Sequence, residues 1–406
     1  MASYDFLKSV TVIEVAQLGM DALGGYLADM GARVIKIEAL PDGDPIRFAG
    51  DYAVGSGSGI GFLHLRWNRG KQSLGLNLRN SEGAALFRTL AAQADIVIEG
   101  LKGGAFDRLG LGYDVLRQDN PKLVYCSLSG LGREGPYHEL RSHAVAYDAF
   151  AGLLPQDTES PAPAIGEFKA PSIGMHAPGL YAAVGVLAAL HRAREEGEGA
   201  LIEIAAADAA ANWLPDGVDP LVNADLCQTR DGFLDSSGRM LNWARLSQYT
   251  TSDGRTLLLE ALAWPTWVKF CKLLGREDLL DLHERGLDGE RYHALLRTEI
   301  AAIIVTRSLE QWMADFIAHD ISAMPVNDFA ALARDPHYVA RHNWYDADIP
   351  GTGTLALSGT PIRSAGRVFA PALAPAMGEH TDVVLHDLAA LDADAIARLK
   401  QRGIVA

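Results

Sequence analysis

The 406-residue chain is too long for one ordinary hydrophobic core, and with 49% apolar residues it can fill two unequal ones. Its formal net charge of -15 argues against nucleic acid or an anionic membrane as partner, because both require a basic face. Three cysteines, Cys126, Cys227 and Cys271, lie far apart without a C-x-x-C pair, which speaks against a disulfide framework or zinc site and for buried thiols.

The N-terminus has no basic start followed by a long apolar stretch, and no run of about 18 apolar residues occurs, so a cytoplasmic protein is expected. Residues 9–15 (SVTVIEV) are rich in β-branched side chains and predict a strand, followed by a helix-compatible stretch to Met30 and a second strand at 33–38 (RVIKIE). Gly55 to Gly61 (GSGSGIG) lacks G-x-G-x-x-G spacing, a preceding strand and a following Lys-Ser, and reads as a flexible loop or lid. A helix from about Ser81, taken as its N-cap, to Ala94 leads into a strand at 95–99. A short helix near 113–118 then leads into one at 122–129. Alternation of this kind predicts a largely parallel sheet with helices on both faces.

Residues 178–194 predict a long buried helix, with Pro178 in its first turn and Gly197 past its charged end, and a strand follows at 201–204. From about Val218 the character changes. Asn223, Cys227, Asp231 and Gly232 form a polar irregular stretch, and 250–260 reads as a strand pair around Ser252-Asp253-Gly254. These features predict a large α/β domain over 1–215 with 330–406 and a smaller domain over 216–329. After Asp328 the chain reads as a long Pro- and Gly-rich connection ending in a short helix at 393–402.

Several segments, in order along the chain, resemble family III CoA transferases and the related α-methylacyl-CoA racemases of the CaiB/BaiF type. Asn68-Arg69-Gly70-Lys71-Gln72-Ser73 resembles the N-R-x-K-x-S turn, Arg108 to Tyr113 the R-L-G-L-G-Y segment, and Ser129 to Gly132 with Gly135-Pro136-Tyr137 the S-G-x-G-x-x-G-P-Y loop. Gly179-Leu180-Tyr181 opens the long helix, Asp208-Ala209-Ala210 matches the helix after the next strand, and Gly378-Glu379-His380-Thr381 matches the terminal G-E-H-T. The resemblance implies a Rossmann-like large domain built from both termini, an inserted α+β small domain and an interlocked dimer. It also implies acyl-CoA as substrate and no metal. The phosphates of coenzyme A need guanidinium, ammonium or backbone N–H donors. By resemblance Asn68, Arg69, Lys71, Lys102, Arg108 and Tyr137 occupy or neighbour the CoA-contacting stretches. Two loops depart from the pattern: N-F-R-P-G reads Gly100 to Gly104, and A-G-P reads Gly19-Met20-Asp21.

The decisive departure lies before the long helix. In the transferases an aspartate attacks the acyl thioester and carries the acyl and CoA intermediates, which splits one hard exchange into easier steps. Counting back from Gly179-Leu180-Tyr181 in D-x-x-x-G-L-Y puts Met175 at that position, and a thioether cannot form the anhydride. The nearest upstream carboxylate is Glu167, and His176 lies one residue from the vacancy. Residues 142–147 (SHAVAY) resemble the racemase G-H-D-I-N-Y, which puts His143 at the catalytic histidine, where an imidazole exchanges protons near neutrality. Asp148 falls off the helical face of His143 and reads as structural. Three readings follow. The chain is a CoA transferase moving CoA between an acyl-CoA and a carboxylic acid, as a homodimer or as the non-nucleophilic partner of an Asp-bearing chain; an acyl-CoA racemase or isomerase using His143 and His176; or a non-catalytic acyl-CoA-binding subunit.

Overall fold

The structure, a computed structural model, describes residues 4–53, 60–154, 173–213, 215–226, 243–281 and 289–406. The chain divides into two units, Met1–Val218 with Asn343–Ala406 and Asp219–His342. The second therefore begins three residues later and ends thirteen later than the expected 216–329. The expected boundary at 329 fails because the polar stretch after Asp328 folds into two short helices, Phe329–Leu332 and Pro336–Ala340, each N-capped by an aspartate.

The large unit is laid down as β1 (Thr11–Ala16), α1 (Ala22–Asp29) and β2 (Arg33–Glu38). A small hairpin, β3 (Tyr52–Ala53) and β4 (Ile60–Gly61), then precedes α2 (Phe62–Trp67) and β5 (Gln72–Gly75). The chain continues through α3 (Ser81–Ala91), β6 (Ile96–Gly100), α4 (Ala105–Arg108), α5 (Tyr113–Asp119) and β7 (Val124–Ser129). It goes on through α6 (Val145–Phe150), α7 (Ile173–Glu196), β8 (Ala200–Ala205) and α8 (Ala206–Asn212). Six of these strands pair in parallel in the order β5-β2-β1-β6-β7-β8. Ile13, Ile35, Leu74, Val97 and Tyr125 bury one face of this sheet under α3 to α5, and Val12, Val34, Ile96, Ile98 and Cys126 bury the other under α1 and α7. Central strands buried on both sides explain why the sequence shows unbroken apolar runs there rather than alternation.

Three local readings need correction. Asn80, not Ser81, caps α3, its side chain accepting from the Glu82 N–H. Helix α7 starts at Ile173, so Pro178 lies inside it and Met175 and His176 sit in its first turn rather than in a preceding loop. By length and mean hydropathy, 1.5 over its most apolar 18 residues, α7 would suffice to cross a bilayer, which a search for uninterrupted apolar residues does not register; 39% of that window is buried. Its Ala182, Val186 and Leu190 face the sheet, while Val184 on the other side is 73% exposed.

The chain's last segment closes the large unit. After a hairpin at Trp344–Ile349 and Gly353–Ser358, two helices, Thr381–Ala389 and Ala393–Gln401, pack onto the α3 face. Leu76 bridges Val405, and the N–H groups of Asn77 and Ala406 bond to Ile404 and Gly75. In the small unit a three-stranded antiparallel sheet, β9 (Leu246–Thr250), β10 (Thr256–Glu260) and β11 (Ala323–Pro325), buries Leu257 and Leu259 with Trp267, Phe270, Trp312 and Phe316. Cys126 and Cys271 are buried thiols, the latter pushed up to about 12 by burial. Glu167, Cys227 and nearly all of the glycine-rich stretch 55–61 lie outside the described residues.

Candidate active site

The strand order reverses between β1 and β6: the chain runs outward from β1 to β2 and β5, then returns to build β6, β7 and β8. In doubly wound sheets, ligands bind beyond the carboxyl ends of the strands at this switch point. A cleft of about 280 Å³ lies there, lined by Gln17, Leu18 and Met20 after β1, Gly100 to Gly103 after β6 and Ser129 to Leu131 after β7. Residues 140–144 and Tyr147 close its far side.

Glycines permit these loops to meet. A β-carbon on Gly100 would lie 2.6 Å from Ala16 Cβ, and one on Gly130 would lie 2.7 Å from the Tyr147 hydroxyl. That steric demand explains both the S-G-x-G loop and the Gly that replaces the first residue of the N-F-R-P-G segment. Ala144, at the start of α6, has φ 25°, a strained value for a residue with a side chain, and it holds His143 and Tyr147 on either side of it against the cleft.

Of the residues singled out from the sequence, Lys102 and His143 line the cleft. Lys102 stands 3.8 Å from Glu139. Arg108, exposed at the end of α4, has its guanidinium beside Gly104 and no ion pair among the described residues. Tyr137 is exposed, its ring edge-on to Phe150 at 6.5 Å.

Asn68, Arg69 and Lys71 do not belong to this group. All three are buried below the loops and bound to protein carboxylates. Lys71 Nζ donates to Glu14 Oε2 at 2.6 Å and to the Asp21 carbonyl at 2.8 Å. Arg69 forms a fork with Asp29, both bonds 2.7 Å, and Asn68 donates to Asp21 Oδ2 at 3.2 Å. The N-R-x-K-x-S segment is thus internal bracing, and a phosphate could reach these cations only by displacing buried carboxylates. Ser73 and the G-E-H-T segment serve the same end. Ser73 Oγ donates to Glu38 at 2.6 Å and accepts from the Gly378 N–H at 2.8 Å.

This interior network carries charges that sequence reading did not assemble. Lys36 bonds Asp44 at 2.7 Å and the Ala16 carbonyl at 2.7 Å, with Asp21 3.6 Å away. Burial would raise Asp21, but Lys36, Lys71 and hydrogen bonds from Asn68 and the Gly19 N–H outweigh it and hold the carboxyl below its usual range. Burial does raise Glu14, against Lys71 and Lys36. Two ammonium groups facing three carboxyls leave one carboxyl in excess, and Glu14 is the one pushed toward protonation. His64, buried beside Arg47, is pushed down to about 3. Its Nδ1 lies 3.0 Å from the Asn68 amide nitrogen and its Nε2 3.1 Å from Arg47 Nη1. The legible signal was polar residues inside β-branched strands, Glu14 in TVIEV and Lys36 in VIKIE.

The first turn of α7 packs against the loop after β1 and the start of α6. Gly174 donates its N–H to Asp148 Oδ1 at 2.8 Å. Met175 packs on Gly19, whose added β-carbon would lie 3.0 Å from Met175 Cγ. His176 turns away onto the Trp67 ring, centroids 5.8 Å apart, and burial followed by nearby Arg66 lowers its pKa. His143 and His176 are therefore not paired across one site: His143 lines the cleft and His176 does not. Asp148, buried with Oδ2 unpartnered, is the carboxylate at this turn.

A doubly wound parallel sheet with a crevice at its switch point defines an α/β protein of the Rossmann type. The chain belongs to CoA-transferase family III, whose family model matches residues 7–381. It is 30% identical over 423 residues to a succinate–glutarate CoA-transferase of Agrobacterium fabrum, covering 96% of this chain and 97% of that one. It is 28% identical over 417 residues to a succinyl-CoA–L-malate CoA-transferase alpha subunit of Chloroflexus aurantiacus, covering 98% and 92%. A CaiB/BaiF family protein from Brucella suis superposes with a TM-score of 0.73 at 27% identity, covering 94% and 98%. Family III transferases use CoA thioesters and carboxylic acids as substrates.

Proposed function

We propose that this chain is the non-nucleophilic subunit of a CoA transferase, holding an acyl-CoA at the switch-point cleft while a related, aspartate-bearing chain supplies the acyl-accepting carboxylate. The observation that carries this reading is Met175 in the first turn of α7, packed on Gly19 where the family pattern calls for aspartate. Asp148, the neighbouring carboxylate, is 1% exposed and committed to the helix start, so it does not replace the missing nucleophile. The subunit character of the Chloroflexus relative supports the same reading.

A partner chain also suits the surface of α7. Leu180, Val184 and Leu187 form an exposed apolar stripe, continued by Trp213 beyond α8. Such a stripe favours burial against another chain, and an interlocked dimer would supply it.

The test is incubation of the pure chain with acyl-CoA thioesters in deuterated water, with and without carboxylic acids, followed by co-purification from the native source. The proposal requires no transfer by the isolated chain and an aspartate-bearing chain bound to it. Transfer by the chain alone overturns it. Exchange at the α-carbon that depends on His143 would replace it with an isomerase.

A further inference from the structure

The turn between β1 and α1 carries three residues that line the switch-point cleft, Gln17, Leu18 and Met20. It is closed by the Met20 N–H, which donates to the Gln17 carbonyl at 3.2 Å, and its two central residues both have positive φ, 51° at Leu18 and 95° at Gly19. That sign pattern is the one of a type I′ turn, which glycine, asparagine and aspartate adopt readily and leucine does not. Leu18 does not recover the cost by packing, since it is 41% exposed at the cleft. A residue held this way persists only where its surroundings fix it.

The group that fixes it is Asp21. Its Oδ1 accepts the Gly19 N–H at 3.0 Å, and its Oδ2 accepts the Asn68 amide at 3.2 Å with Lys36 Nζ 3.6 Å away. Its carbonyl accepts from Lys71 Nζ at 2.8 Å and from the Gly25 N–H at 3.1 Å. One residue thus ties the turn to β2, to α1 and to the segment between α2 and β5. From this anchor the turn meets two neighbours. Gly19 lies against Met175 in the first turn of α7, and Met20 lies against the end of β6, where a β-carbon on Gly100 would come within 2.8 Å of Met20 Cβ.

We propose that Asp21 is a positioning residue of the cleft: by holding the 17–20 turn it places Leu18 and Met20 against a bound acyl-CoA and Gly19 against residue 175. Asp21 acts through the turn, because it is fully buried and is not among the residues that line the cleft. The identity of the ligand rests on the proposed function, whereas the hold on the turn does not. A ligand that binds only the ordered turn has its affinity reduced by the fraction of chains that hold it. Loss of the Asp21 carboxylate should therefore loosen the turn and weaken acyl-CoA binding together. Glu14 and Asp44 would remain as partners of Lys36 and Lys71, so the sheet beneath keeps its ion pairs.

The test uses the full chain, with acetyl-CoA binding read by calorimetry and hydrogen exchange read at the amides of residues 17–20. In the native chain the Gly19 amide should exchange about a hundredfold or more slowly than in an unfolded peptide, because its acceptor is buried. Asp21→Ala should speed exchange across 17–20 about tenfold or more, leave β1 and β2 unchanged, and weaken acetyl-CoA binding about tenfold or more. Asp21→Asn, which keeps an oxygen for the Gly19 N–H, should restore slow exchange and most of the affinity, a rescue that a general loss of stability would not show. An unprotected Gly19 amide in the native chain overturns the proposal, and that measurement stands even where Asp21→Ala does not fold. Native exchange and affinity in Asp21→Ala overturn it too, as does Asp21→Asn proving as damaging as Asp21→Ala. Failure of the native chain to bind acetyl-CoA would instead overturn the acyl-CoA reading, and exchange at Gly19 would still decide whether Asp21 holds the turn.

Discussion

The carboxylate of Asp148 accepts the Gly174 N–H at 2.8 Å, so a residue of α6 sets where α7 begins and thereby where Met175 points. A hydrogen bond of this kind satisfies one of the orphan donors of a helix N-terminus. Asp148→Ala should lower stability by about 1 kcal/mol, and Asp148→Asn, which keeps an acceptor oxygen, by less than half of that. Urea unfolding of the three proteins checks this. Equal losses in both variants would show that the charge, not the hydrogen bond, fixes the turn.

Met175→Asp places a carboxylate in the first turn of α7, and the smaller side chain fits the space that Met175 fills against Gly19. With acyl-CoA present, hydroxylamine should convert residue 175 of this variant to an aspartyl hydroxamate and leave the native chain unmodified there, as mass spectrometry of the 175 peptide would show. Absence of trapping in a folded variant that still binds CoA would mean that the site has lost more than its nucleophile.

Lys71 should separate cleanly from Lys102, which lines the cleft, and Arg108, which is exposed at the end of α4. Lys71→Met strips a buried ion pair of its cation and should cost on the order of 3 kcal/mol while leaving the CoA affinity of the folded protein unchanged. Lys102→Ala with Arg108→Ala should weaken CoA binding at least tenfold with little change in melting temperature. Calorimetry and thermal unfolding together give both readings, and the reverse pattern would return Lys71 to the CoA site.

Acid stability should depend on His64 and Glu38. His64 falls from 6.5 to about 3 on folding, so between those values the unfolded chain binds the extra proton and stability rises with pH. Burial would raise Glu38, but Arg47 and Ser73 overcome it and bring the carboxyl down to about 2, so its contribution also rises with pH, between about 2 and 4.5. Stability should thus decline as pH drops below about 6.5 and decline further below about 4.5. His64→Gln should remove the dependence between about 4.5 and 6.5 and leave only the Glu38 contribution below about 4.5. Urea midpoints measured from pH 4 to 8 would show it, and an unchanged slope between 4.5 and 6.5 would remove His64 as the cause.

The parallel sheet was readable because β-branched runs alternate with helix signals. Lys71 and Arg69 were misplaced because a motif gives the residue type and not the direction in which it points; two strands and a helix decide that Lys71 faces Glu14. The start of α7 was misjudged because Pro178 looks like a first-turn proline, whereas Asp148, contributed from 26 residues upstream, begins the helix earlier.

The seam between β5 and residues 404–406 affects the order of synthesis. Strand β5 is the sheet's outer edge on that side, and the residues that cover its end leave the ribosome more than 300 positions later, after the small unit. Until then the edge presents unpaired backbone groups and the α3 face lacks Leu385, Ile396 and Leu399. A truncation before Thr381 should therefore aggregate through that edge rather than merely unfold.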